Sequence, residues 1–173
     1  MQQAPPGQVG LDQMKVQSFM QRRKAEQSMP LALAAGVIAA IVGAVIWAVV
    51  TDMTGYQIGW MAVGVGFLVG YAVQFLGKGI ERPYQYVGAI CALLGCILGN
   101  YFAVAGSVAQ DMHVDILTVI SRIPLDKAAA VMKSSFQPMD LLFYAIAVYE
   151  GYRFSLKRIS TAELAALHGP QAT

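Results

Sequence analysis

Residues 31–51, LALAAGVIAAIVGAVIWAVVT, run for twenty-one positions without a charge. About 20 apolar residues in a helix cross a hydrocarbon core about 30 Å thick. Lipid cannot hydrogen-bond a bare backbone, so a spanning segment must satisfy its own N–H and C=O groups, as a helix does. The run follows Arg22, Arg23, Lys24 and Pro30, and it exceeds the roughly 7–15 apolar residues of a cleavable signal. It therefore reads as a first membrane span.

Two further segments have the same character, Tyr56–Leu76 and Tyr86–Ala105. A fourth, Met139–Leu156, is uninterrupted and apolar only from Leu141 to Tyr149. Only 13% of the 173 residues are charged, against about 25% in soluble domains, which places the whole chain in the membrane class. The net charge of +2 and the lack of a basic face with interleaved aromatics argue against nucleic acid as a partner.

Lys and Arg in the flanks set orientation. Lys15, Arg22, Arg23, Lys24, Lys78, Arg82, Arg153, Lys157 and Arg158 fall on one side, and Arg122, Lys127 and Lys133 on the other. The expected fold is thus an all-α membrane protein with four transmembrane helices (31–51, 56–76, 86–105 and 139–156) and both termini cytoplasmic. Residues 1–30 form a cytoplasmic tail, flexible over 1–10 and with an amphipathic interfacial helix over 11–28. Residues 31–158 form the membrane domain, and 159–173 a second cytoplasmic tail in which STAE at 160–163 matches a capping box. Short loops and tails fit a bacterial inner membrane.

The segment 106–137 is too long for a plain turn. Met112, Ile116, Val119, Ile120 and Ile123 recur at helical spacing before Pro124, and Leu125, Ala129, Met132 and Phe136 mark a second piece. An amphipathic helical segment on the outer face is expected, serving as a lid or as a docking surface.

Small residues recur every four positions along the spans. The helix-packing candidates are Gly36, Ala40 and Ala44 in the first, Gly64, Gly66 and Gly70 in the second, and Gly95 and Gly99 in the third. Such faces let backbones approach and drive association in lipid, where no hydrophobic effect separates helix from solvent. They serve packing within the chain, with a protein partner or homo-oligomer as a further use.

Glu150 and Arg153 are the charges hardest to place. Glu150 stands nine residues beyond Leu141, about 13.5 Å along a helix, near mid-membrane. An i,i+3 pair can meet directly, so a structural ion pair is expected, with Asn100, Tyr71 and Gln74 completing an intramembrane polar network. A docking charge or a proton pathway are the sharper alternatives. Cys91 and Cys96 point about 140° apart on a helix and read as small packing residues. His113 and His168 stand without ligand-spaced partners, so no metal site is expected, and no nucleophile–base pair points to catalysis or a cofactor. The expected function is a non-enzymatic integral membrane subunit or scaffold of a complex. The alternative is a small oligomeric transporter or channel using Glu150.

Overall fold

Prolines open four of the helices. A ring-locked φ suits the first helical turn, and the missing N–H is not needed there. In the computed structural model, which describes residues 6–55, 59–122, 130, 133 and 138–157, six helices follow in order: α1 (Pro6–Ala25), α2 (Met29–Thr54), α3 (Trp60–Gly77), α4 (Arg82–Asp111), α5 (Ile116–Arg122) and α6 (Pro138–Phe154). Pro6 and Pro138 begin α1 and α6, and Pro30 and Pro83 sit in the first turns of α2 and α4. No strand occurs among the described residues.

Three helices, α2, α3 and α4, are long and apolar enough to cross a membrane. The chain is therefore all-helical and membrane-like. Several boundaries differ from expectation. Residues 6–10 belong to α1 rather than to a flexible tail; Pro6 suits a first helical turn. Helix α4 continues to Asp111, so residues 106–111 are helix rather than loop. The segment after α4 breaks at His113, whose φ of 52° lies in the left-handed region. It then re-forms as the seven-residue α5. Expectations for the second amphipathic piece at 125–136 and for the capping box at 160–163 lie outside the described residues.

Helices α2, α3, α4 and α6 form an up–down–up–down bundle. Helix α2 packs on α3 and α4, and α6 packs on the same two from the far side, so α3 and α4 separate α2 from α6. Helix α1 packs on none of them. Ala105 and Ala109 of α4 make a small second core with Val119 of α5.

Close approach is made possible by glycine. Gly66 lies directly on the Ala147 backbone, and Gly88 on the Gly151 carbonyl and Ser155. A methyl at Gly95 would stand 2.7 Å from Val65 and 3.2 Å from Ala40, and one at Gly99 would stand 2.7 Å from Trp47. Gly36 is packed on Cys91, Gly70 on Phe154, and Ala44 is fully buried. Gly64 is the exception among the packing candidates: it is exposed, with nothing within 4 Å of a would-be Cβ. It lies two residues from Gly66, about 200° around the helix, so the two cannot share a face. Cys91 and Cys96 are free and buried, in accord with a packing role.

One end of the bundle is tied by a clasp. Ser28 N–H donates to the Gly77 carbonyl (3.0 Å), Ile80 N–H to Gln27 Oε1 (3.1 Å) and Lys157 N–H to the Gly79 carbonyl (2.9 Å). Lys24 pairs with Glu81 at 2.9 Å. The α3–α4 turn is thus gripped from both the start of α2 and the end of α6.

Gly88→Ala should cost about 1–3 kcal/mol, since the added methyl meets backbone that cannot move aside. Gly64→Ala should stay within about 0.5 kcal/mol of the parent. Thermal unfolding of the two variants in the same detergent checks the contrast.

Candidate functional site

Buried polar groups in an apolar bundle have to be paired or carry a cost of about 1–3 kcal/mol each. The best-satisfied group is on α4 and α6. Asn100, 1% exposed, donates from Nδ2 to the Tyr144 hydroxyl at 3.1 Å. Tyr144 in turn donates to the Cys96 carbonyl at 3.2 Å. The phenol thus accepts from one residue and donates to another, tying α6 to α4 at one depth. Cys96 Sγ also lies 3.9 Å from the Ala62 carbonyl of α3.

Glu150 sits six residues beyond Tyr144, about 9 Å along α6. Its Oε2 is buried with no hydrogen-bond partner among the described residues. The expected ion pair with Arg153 is not formed. Arg153 instead lies over two rings, with its Cζ 6.0 Å from the Tyr149 centroid and 5.7 Å from that of Phe154. A planar, weakly hydrated guanidinium stacks well on aromatic faces, and Arg153 is exposed while Glu150 is half-buried.

The other candidates are dispersed. Tyr71 is exposed and stacks with Phe67 and Phe154, at 6.4 and 5.1 Å between ring centroids. Gln74 Nε2 donates to the Leu156 carbonyl at 2.6 Å, fastening α3 to the end of α6. The five polar residues therefore form no single network. Between the depths of Glu150 and Tyr144 the helices are closely packed: Gly66 rests on Ala147, and Val65 fills against Gly43 and Gly95.

Tyr144 was not singled out by sequence reasoning, although a tyrosine inside a span always needs a hydroxyl partner and Asn100 was the nearest polar group in depth. Trp47 Nε1 and Thr51 Oγ1, one turn apart on α2, are also buried without partners among the described residues. At the end away from the clasp, Gln110 donates to Asp52. A groove of ≈660 Å³ lined by Asp52, Phe102, His113 and Asp115 lies beside that contact. The described residues contain no cluster of His, Cys, Asp and Glu fit to hold a metal ion.

Comparison with protein-family models, with curated proteins and with solved structures gives no match to this chain.

Tyr144→Phe and Asn100→Leu should be coupled, with an interaction energy of about 0.6–1.7 kcal/mol, the range of interhelical hydrogen bonds in membranes. Glu150→Gln and Arg153→Met should be additive. Double-mutant cycles on the detergent-solubilised protein measure both, and coupling at Glu150 and Arg153 would show that the pair exists in solution.

Proposed function

We propose that the protein is a non-enzymatic integral membrane subunit that scaffolds a membrane complex. In this reading α2, α3, α4 and α6 are four spans of a bacterial inner-membrane protein. Both termini lie on the cytoplasmic side with the clasp, and α5 lies outside.

The close-packed middle of the bundle carries the proposal. Two polar tiers, one holding Glu150 and the other Asn100 and Tyr144, are separated by the contact of Gly66 with the Ala147 backbone. That arrangement is suited to holding helices at fixed register. Helix α6 has 17 residues, about 25 Å, and runs beside α3 from Gly59 against Phe143 to Gly70 against Phe154. Its full-length pairing with a candidate span supports its being the fourth. Exposed aromatics stand near both ends of the bundle, Trp60 at one and Phe75 and Tyr86 at the other, as interfacial belts do. Outward-facing Leu31, Ile38, Ile41 and Ile46 on α2 suit lipid or a protein partner, including a second copy.

The transporter or channel reading is favoured by one observation, the unpartnered Oε2 of Glu150. An ionisable residue kept inside a span is a functional-site candidate by default.

Topology is checked with single cysteines at Ser18 and Ser121, both exposed; Cys91 and Cys96 are buried and provide a quiet background. An impermeant thiol reagent added outside intact cells should modify the Ser121 probe and leave the Ser18 probe untouched; labelling of both would end the four-span reading. Function is checked by purification from the native source in mild detergent, followed by reconstitution of the protein alone. A stoichiometric protein partner and no proton flux are expected. A lone homo-oligomer whose flux is abolished by Glu150→Gln would install the transport reading instead.

A further inference from the structure

Between the first turns of α4 and the last turns of α6 lies an open groove of ≈480 Å³, lined by Gln85, Tyr149, Tyr152, Arg153 and Leu156. Its volume falls within the roughly 300–1,000 Å³ of small-ligand sites. It sits at the clasp end of the bundle, where most of the Lys and Arg residues gather.

We propose that this groove binds a phosphate group of net negative charge, as carried by an anionic lipid headgroup. Arg153 is the anchor. It meets no carboxylate among the described residues, and Glu150, three positions earlier, does not line the groove. The Arg153 Cζ lies 6.0 Å from the Tyr149 ring centroid and 5.7 Å from that of Phe154. Neither ring takes up the N–H donors as a carboxylate would, so they remain available for the two-pronged contact that a phosphate accepts.

The rest of the lining suits the same anion. Gln85, Tyr149 and Tyr152 carry neutral donors, and Tyr152 is braced edge-on by Tyr86 at 5.9 Å. Gln85 belongs to the first turn of the thirty-residue α4, whose N-terminal dipole favours negative charge. Glu81, the nearest acid at that terminus, is already engaged by Lys24. Leu156 adds an apolar side chain to the lining. Basic groups beside a membrane select anionic lipid on the cytoplasmic leaflet, the side to which positive charge assigns this end.

The test uses the full-length chain in neutral detergent and native mass spectrometry. The probes are phosphatidylglycerol, phosphatidylcholine of the same chain length, and inorganic phosphate. One phosphatidylglycerol per chain should be retained at least about tenfold more tightly than phosphatidylcholine, a difference worth ~1.4 kcal/mol. Arg153→Gln should abolish that preference, Arg153→Lys should keep part of it, and Arg22→Gln on α1 should leave it intact. Unchanged lipid retention in excess inorganic phosphate assigns the site to headgroups. Displacement by phosphate, dependent on Arg153, assigns it to the free anion. Equal retention of the two lipids, or a preference that survives Arg153→Gln, overturns the proposal. Tyr149→Phe together with Gln85→Leu gives a second route to the same answer if Arg153→Gln does not fold, since removal of these donors should also weaken phosphatidylglycerol retention several-fold.

Discussion

The bundle depends on glycine bringing α6 against its two neighbours. Gly66 meets the Ala147 backbone on one side, and Gly88 meets Gly151 and Ser155 on the other. In lipid, apolar side chains gain nothing by leaving hydrocarbon for protein, so dispersion contact at short range has to do the holding. Backbone contact gives the densest such packing, and it is available only where a Cβ is missing from one partner. The same contacts fix the depth at which Tyr144 reaches Asn100, so that buried hydrogen-bond set inherits its geometry from the glycine seam.

The clasp works differently. Ser28, Gln27 and Lys157 engage the backbone of the α3–α4 turn. They satisfy peptide groups that the turn leaves open where the chain reverses beside buried Tyr84. Among the described residues the opposite end shows no equivalent clasp; there Gln110 donates to Asp52 beside grooves of ≈660 and ≈410 Å³.

Much of this was legible in the sequence, for a physical reason. Charge-free runs of about twenty residues are a strong signal, and 31–51 and 86–105 lie inside α2 and α4. Four-residue rows of small residues also located the packing faces, since i and i+4 fall on one side of a helix. Gly64 shows where that signal stops: composition alone does not say which of two glycines two residues apart faces inward. Helix ends were less legible. Pro6 and residues 106–111 carry little apolar signal, and hydropathy alone does not mark where a helix starts or stops. The pairing of Glu150 with Arg153 rested on spacing, and spacing is necessary but not sufficient. Tyr149 and Phe154 offered the guanidinium faces from adjoining positions, and sequence spacing carries no weight for that competition.

Helix α6 shows how far tertiary contact can replace hydropathy. Its 17 residues include Asp140, Glu150 and Arg153, and a charge at the centre of a span costs about 2.5–3.5 kcal/mol on insertion scales. Asp140 is in the first turn, where the helix N-terminus favours an anion. Arg153 is in the last, where its long stem can carry the charge toward the interface. Glu150 alone keeps a deep position. What holds it there is the seam around it: Gly70 lies against the Glu150 carbonyl, and Ala147 and Gly151 lock into α3 and α4 on the same face. As a fourth span, α6 would therefore be stable only against an assembled α3–α4 pair. That pair would have to be in place before it.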